Sequence, residues 1–257
     1  MLTVATFNVN SVRSRMPILR KWLTENPVDV LALQELKGDE SKFPLQEFQE
    51  MGYHGVVHGQ KAYNGVAIVS RDPFEDYMIP TLPFCAEGEA RVILAKVRGI
   101  WFVNTYIPQG QSVSSEKFPY KLAFLAGIGK YLRDQGLMDA QTIWLGDLNV
   151  ALEDRDVYNP DELRGKVTFH PDEQKVLREA SGPMVDVLRK HNGNEGVYTF
   201  WDYRIPNGFK RNLGWRIDYI LATPELAERS EDAWVETGLR AMEKPSDHTA
   251  LVARFDL

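Results

Sequence analysis

The sequence predicts an α/β fold in which two sheets pack face to face with helices outside. Three observations lead there. Strand-like and helix-like segments mix along the whole chain, few strands stand in strict β–α–β alternation, and several helices carry an apolar stripe that needs a sheet to cover. Taken in order, Leu2–Asn8 reads as a strand. Pro17 reads as a helix opener, where its missing N–H is harmless, and Ile18, Leu19, Trp22 and Leu23 form that helix's buried stripe. Val28–Gln34 is a continuous apolar run, as expected of a strand covered on both faces. Asn64-Gly65, between Tyr63 and the Val66–Ser70 run, reads as a tight hairpin turn, and Val92–Val97 with Ile100–Tyr106 around Gly99 as a second hairpin. Ser115 to about Arg133 reads as a helix capped by Ser115, with Phe118, Leu122, Leu125 and Leu132 on one face. Thr142–Leu145 is a short buried strand. Helices are expected near 171–180 and 184–191, separated by Gly182-Pro183, and Ile217–Ala222 and Ala250–Phe255 complete the strands.

Composition bounds the rest. The chain has 257 residues, 44% of them hydrophobic, enough for one domain over 1–257 with a sizeable core. No apolar run spans a bilayer, and no signal peptide is evident, so a cytoplasmic protein without membrane contact is expected. Cys85 is the only cysteine, which excludes an internal disulfide and a thiolate zinc site. The net charge of −6 argues against a polyanionic partner. Two features soften this. A bound divalent cation would neutralise clustered carboxylates. Residues 201–216 also carry Arg204, Lys210, Arg211 and Arg216 against Asp202, a local balance of +3.

The chemistry is written at strand ends. Asn8 and Asn10, Glu35, Tyr106, Asp147 and Asn149, Asp218, and Asp247 with His248 each stand at the end or start of an apolar strand. In extended chain residues two apart share a face, so Asn8 and Asn10, and likewise Asp147 and Asn149, are expected to point together. Wet strand ends collect polar residues in any protein. Here, however, separate segments converge on carboxylates, carboxamides, a phenol and an imidazole, the groups that phosphoryl chemistry on a hard metal uses. Other chemistries find no support: there is no glycine-rich phosphate loop, no G-x-S-x-G elbow and no H-x-x-x-H spacing. His54, His58, His170 and His191 read as surface or loop residues, whereas His248 follows a turn that can aim its ring into a cleft.

At these residues the sequence resembles a known family. TFNVNSVR (6–13), DVLALQELK (29–37), YNGVAIVSR (63–71), NTYIPQG (104–110), IWLGDLNVA (143–151), GWRIDYILA (214–222) and KPSDHTALVA (244–253) look like the ordered motifs of the exonuclease III branch of the abasic endonucleases. The wider superfamily includes deoxyribonuclease I, inositol polyphosphate phosphatases and sphingomyelinases. YIPQG, WDYR, WRIDY and KPSDH favour the DNA-repair branch.

The resemblance implies a four-layer α/β/β/α sandwich with its site at one edge of both sheets. It implies Mg²⁺, with Mn²⁺ as a substitute, held by a set drawn from Asn8, Asn10, Glu35, Asp147, Asn149 and Asp247. Glu35 would be the main ligand, with Asp247 near the same ion. Asn10 stands where some relatives carry an aspartate. Asp147 would orient or deprotonate the attacking water, Asn149 would stabilise the transition state, and Asn8 would position this pair. Asp218 would hold His248, and Tyr106 would hydrogen-bond the phosphate or leaving oxygen. Phe200, Trp215 and Ile217 match an apolar slot for a flipped-out sugar lacking its base, with Gln109, Thr168, Arg204, Lys210 and Arg211 as further substrate contacts. Thr168 matches a position beside the cleft where the family's abasic endonucleases tend to carry a small residue. The implied partner is double-stranded DNA with abasic sites or blocked 3′ ends, acted on by a monomer. The implied activities are cleavage 5′ to abasic sites, 3′-phosphodiesterase, 3′-phosphatase and 3′→5′ exonuclease. A mainly 3′-end-processing enzyme and an inactive lesion-binding relative remain as alternatives.

Overall fold

A computed structural model describes residues 1–257. The chain runs β1 (Leu2–Asn8), α1 (Val12–Glu25), β2 (Val30–Gln34), α2 (Leu45–Glu50), β3 (His54–His58), β4 (Val66–Ser70), β5 (Asp76–Met78), β6 (Val92–Val97), β7 (Ile100–Tyr106) and α3 (Lys117–Asp134). It continues with β8 (Thr142–Asp147), α4 (Pro160–Leu163), α5 (Pro171–Ser181), β9 (Val185–Asp186), α6 (Val187–His191), β10 (Asp218–Ala222), α7 (Pro224–Glu228), β11 (Ser230–Val235) and β12 (Leu251–Phe255).

The strands form two six-stranded mixed sheets. The first has the order β11-β12-β1-β2-β4-β3 and the second β5-β6-β7-β8-β10-β9. Each sheet holds one parallel pair, β1 with β2 and β7 with β8, and its other pairs are antiparallel. Alternation along the strands explains the layering. Val4, Val30, Ala32 and Ile68 of the first sheet meet Ile93, Phe102, Ile143, Leu145 and Ile220 of the second in a central core. Their neighbours Ala5, Phe7, Leu31, Leu33 and Val69 face outward onto Ile18, Leu19, Trp22 and Leu23 of α1. On the far side Leu94, Val103, Trp144 and Tyr219 receive Phe124, Leu125, Ile128 and Leu132 of α3 and Leu177 of α5. The result is the expected four-layer α/β/β/α sandwich. No helix is long and apolar enough to cross a membrane.

Several local expectations are corrected. Pro17 lies inside α1 rather than opening it. The helix starts earlier because its first free N–H groups find partners outside it: Ser11 N donates to Glu35 O at 2.7 Å and Val12 N to Leu36 O at 3.3 Å. Asn64 and Gly65 both adopt positive φ (46° and 89°), but they end the longer loop 59–65 between β3 and β4 instead of forming a two-residue turn. Gly99 does sit in a tight hairpin, with Arg98 and Gly99 at φ 50° and 77°. The α3 stripe is rotated: Leu122 is only half-buried, while Lys121, Phe124 and Ile128 are inside. Glu116 occupies the α3 N-cap, yet Ser115 Oγ still accepts from Lys117 N at 3.1 Å. The helix expected over 184–191 is split into β9 and α6. Of the histidines read as surface or loop residues, His54 is indeed exposed and His170 lies in the loop that caps α5, Nδ1 accepting from Asp172 N, whereas His58 is half-buried on β3.

The largest correction concerns Arg216, read above as part of a basic loop. Its side chain is 1% exposed. Nε and Nη2 donate to Asp156 at 2.7 and 3.0 Å, and Nη1 donates to Asp186 at 2.7 Å. Arg189 joins the same Asp156 carboxylate. Arg216 is therefore an internal tie and is withdrawn from the phosphate-facing charge.

Burial alone would raise the Asp156 carboxyl, but Arg216 and Arg189 outweigh it and hold it below its ordinary 3.8. A depressed carboxyl contributes stability that is complete above that ordinary value and is lost as pH falls through the folded value. Asp156→Asn leaves two arginines short of a counter-charge. We expect it to destabilise the protein by about 3–5 kcal/mol near neutral pH, with a smaller difference from the parent under acid conditions. Urea denaturation at pH 7 and at about pH 2–3, below the ordinary carboxyl value, checks this, and an equal loss at both pH values would refute the assignment.

Candidate functional site

Strand pairing brings the polar strand ends to one edge. In a parallel pair both C-terminal ends lie together, so Asn8 faces Gln34 next to Glu35, and Tyr106 faces Asp147. Antiparallel β10 sets Asp218, its first residue, opposite Asp147. The Asp247–His248 turn precedes β12, beside β1, and Ser246 Oγ ties it to Asn8 O at 2.8 Å. Beyond the ladders the backbone turns sharply: Asn10, Ser11, Glu35 and Asn149 have φ of 44°, 91°, 53° and 53°. Such left-handed non-glycine residues are strained and concentrate where side chains must be aimed. The expectation that Asn149 continues the extended register of Asp147 thus fails. Asn149 turns back so that its N donates to Asp147 Oδ1 at 3.0 Å and its Nδ2 to Ile107 O at 2.9 Å.

The centre is a connected array. Asn8 Nδ2 donates to Glu35 Oε1 at 3.0 Å and to Asp147 Oδ2 at 2.9 Å. His248 Nε2 lies 3.6 Å from Asp147 Oδ2, and its Nδ1 is 2.9 Å from Asp218 Oδ2. Thr199 Oγ1 fixes the start of β10 by accepting from Ile217 N and Asp218 N, both at 3.2 Å. Tyr106 donates its hydroxyl to Glu35 Oε1 at 2.7 Å, with the Arg91 guanidinium 5.0 Å from its ring centre.

Protonation follows from these contacts. Burial alone would lower the His248 imidazole, but Asp218 and then Asp147 overcome it and lift it to about 10, so the ring is a cation at neutral pH. Burial pushes the Asp147 carboxyl up; the His248 charge opposes this, while Asp218 adds to it. For Glu35, burial would raise the carboxyl, but hydrogen bonds from Asn8 and Tyr106 hold it below its ordinary value. Burial and the adjacent Glu35 keep the Tyr106 phenol protonated.

Beside this array opens a cleft of about 580 Å³. Of the residues singled out in the sequence, Glu35, Tyr106, Gln109, Asp147, Asn149, Thr168, Phe200, Arg204, Trp215, Ile217, Asp247 and His248 line it. Phe200 and Trp215 form one wall, with ring centres 5.7 Å apart, and Phe200 sits 4.8 Å from the His248 ring. Reciprocal 2.9 Å backbone bonds between Phe200 and Trp215 hold that wall in place. Asp218 lies behind His248, fully buried. Lys210 and Arg211 are exposed outside the cleft lining, and Arg204 is engaged by Asp202 through contacts of 2.7–3.0 Å. The loop's outward charge is thus weaker than its composition suggests.

Oxygen donors for a hard cation cluster at Glu35, Asp247 and Asn10, whose Nδ2 donates to Asp247 Oδ1 at 2.9 Å. The Lys37 ammonium lies 3.2 Å from Glu35 Oε2 and also bonds Asn10 Oδ1, so two of these donors already gather positive charge. The donor set fits a divalent ion. Asp147, Asp218 and His248 also approach one another within 4.8 Å, and there both imidazole nitrogens already face carboxylates, Nδ1 that of Asp218 and Nε2 that of Asp147. Asn8, named above among the metal ligands, sits behind this donor set. It is fully buried, its amide N–H groups face two carboxylates, and its Oδ1 accepts from Asn10 N at 3.0 Å. It positions Glu35 and Asp147. The sequence reading missed Lys37, Arg91, and Lys166 and Val167 of the cleft wall. Proximity in sequence to Glu35 and Thr168 was the one available signal for three of them.

A two-sheet sandwich with this edge site defines a class of hydrolytic nucleases. The sequence profile described as the endonuclease/exonuclease/phosphatase family matches residues 5–248, and the chain belongs to that family. Within it, the chain falls in the exonuclease III branch. It is 34% identical to exodeoxyribonuclease III of Haemophilus influenzae over 97% of this chain and 98% of the relative. Among solved structures, an AP endonuclease from Archaeoglobus fulgidus is 46% identical with a TM-score of 0.95, each chain covered in full. A Neisseria 3′ phosphatase bound to a product DNA hairpin is 38% identical, also with a TM-score of 0.95 and full coverage of both chains.

The 2.9 Å Asp218–His248 bond generates a test. An orienting carboxylate has no value without the ring it holds. We expect His248→Ala and Asp218→Ala each to lower kcat by about 100-fold or more, and the double variant to be little worse than His248→Ala alone. Losses that multiply in full would show that the two side chains act independently.

Proposed function

We propose that this chain hydrolyses phosphodiesters in double-stranded DNA. It cleaves 5′ to abasic sites and clears 3′ ends as a 3′-phosphodiesterase, 3′-phosphatase and 3′→5′ exonuclease. The observation that carries this reading is the meeting, in one cleft, of the Asn8–Asp147–His248–Asp218 array with the apolar wall of Phe200, Trp215 and Ile217. An apolar wall beside charged chemistry suits a sugar that has lost its base, and extrusion is easiest for a nucleotide already unstacked. The names of the relatives, among them an AP endonuclease and a 3′ phosphatase, support the same reading.

In this mechanism Asp147, oriented by Asn8 and by Asn149 N, aligns and deprotonates water against phosphorus. The His248 imidazolium, fixed by Asp218, offers its Nε2 proton to a non-bridging phosphate oxygen as negative charge grows there, the kind of preorganised donor that dominates such reactions. Tyr106 steadies Glu35. Mg²⁺, or Mn²⁺ in its place, held by Glu35, Asp247 and Asn10, supplies electrostatic stabilisation of the leaving oxygen when bound. Phe200, Trp215 and Ile217 receive the abasic sugar, while Gln109, Arg204, Lys210 and Arg211 border the path of the strand.

The test compares an abasic duplex with a 3′-phosphate duplex, each in Mg²⁺ and in chelator. Both substrates are cleaved only with the metal. Asp147→Asn lowers kcat by about a thousand-fold while abasic DNA still binds. Full turnover in chelator would overturn the metal assignment, and near-parental cleavage by Asp147→Asn would overturn the water-activating role.

Thr168 bears on the balance of activities. It lines the cleft at φ 79°, 8% exposed, an unusual backbone for a β-branched residue. Its bulk narrows the route of a strand that continues past the lesion and leaves a terminal 3′ group accessible. Abasic cleavage is accordingly retained but reduced relative to 3′-end processing. Thr168→Gly, which also suits the backbone, raises abasic cleavage with 3′-phosphate removal nearly constant, and Thr168→His does the reverse. Proportional changes in both activities would make Thr168 purely structural.

A further inference from the structure

We propose that Lys121 is a positioning residue for hydrolysis in the cleft, holding the backbone segments that carry Gln109 and Asn149 in register with each other. The inference rests on the phosphodiesterase reading above and deepens it.

Lys121 lies on α3 with its side chain fully buried. A lysine ammonium has three N–H donors, and all three are used. One goes to Glu173 Oε1, one to Asn149 O at 2.6 Å, and one to Gln109 O at 3.2 Å. The last two acceptors lie just past the ends of β8 and β7, where ladder hydrogen bonding stops. Both residues line the cleft. Asn149 is in left-handed backbone, so its segment is not held by regular structure. The loop also packs closely on the lysine stem: a Cβ on Gly110 would stand 3.2 Å from Lys121 Cδ and 3.1 Å from Val167 Cγ2. Glu173 extends the strut to the neighbouring 166–170 segment, its Oε2 accepting from His170 N at 3.1 Å, while Ala151 N donates to Thr168 O at 2.7 Å.

Stability alone is a weak account of this arrangement. A buried ion pair replaced by residues of similar size often leaves stability unchanged or improved, and pairing with Glu173 uses only one of the three donors. The other two converge on the carbonyls of adjacent cleft segments, one of which carries a side chain of the reacting centre. A displacement of about 1 Å in such a group can lower a rate on the order of 100-fold.

Two double variants test the proposal, Lys121→Met/Glu173→Gln and Lys121→Gln/Glu173→Gln. Each removes the buried charges together and keeps an acceptor for His170 N. Glu173→Gln alone keeps the lysine nitrogen beside both carbonyls and serves as the comparison, assayed below its own, lowered Tm because it strands a buried amine without its counter-charge. In whichever double variant unfolds at a Tm near the parent's, kcat on the 3′-phosphate duplex falls by roughly 10- to 100-fold with KM near the parent's. Amide exchange also accelerates at 109–111 and 148–150 but not within β7 and β8, and Glu173→Gln alone retains most of kcat. A folded double variant with parental kcat and parental exchange overturns the proposal, as does a Glu173→Gln loss equal to the double's. A parent that cleaves neither duplex refutes the functional reading instead, and the exchange comparison then still decides whether Lys121 holds these segments.

Discussion

The site depends on a buried hydrogen-bonded link between the two sheets. Asn104, on β7 of the second sheet, donates through Nδ2 to Leu33 O at 2.9 Å and Ala67 O at 2.8 Å in the first. Its Oδ1 accepts from Gln34 Nε2 at 2.8 Å, and the same Gln34 amide reaches Thr6 Oγ1 at 3.0 Å. Apolar packing between sheets is non-directional and tolerates sliding. A buried, directional network does not, because any shift strands further buried polar atoms. Thr6, Gln34 and Asn104 stand one or two residues before Asn8, Glu35 and Tyr106. The lock therefore fixes the sheets immediately beneath the reacting groups. Asn8 can then reach Asp147, and Tyr106 can reach Glu35, across the sheet boundary.

Much of the site was legible because strand chemistry repeats with a short period. Apolar runs ending in Asn8, Glu35, Tyr106 and Asp147 fix both the element and the end at which function collects, and central strands covered on both faces give the clearest apolar signal. What escaped depends on partners remote in sequence. β3, β5 and β11 are edge or near-edge strands with half-exposed polar residues, and they gain their register from a neighbour. α1 begins ahead of Pro17 because carbonyls of Glu35 and Leu36 receive its first N–H groups. Arg216 reads as part of a basic loop and Lys121 draws no reading at all, since nothing local reveals Asp156, Asp186 or Glu173 waiting in the interior.

Those buried charges also explain how an acidic protein is arranged to meet an anion. The centre holds the carboxylates of Glu35, Asp147, Asp218 and Asp247 against the His248 imidazolium and the Lys37 ammonium. Left so, its own field would repel a phosphodiester. Asp218 and Asp147 spend their charge on keeping His248 protonated, so two of the four carboxylates act through one cation that faces the cleft. Glu35 and Asp247 remain, and Lys37 balances only one of them at close range. A divalent ion on these oxygens turns the field at the cleft from repulsive to attractive, which is the condition the proposed hydrolysis requires. In the proposed reaction the metal would then be as much a part of substrate binding as of bond cleavage, and the modest outward charge of Arg204, Lys210 and Arg211 would steer the strand rather than hold it.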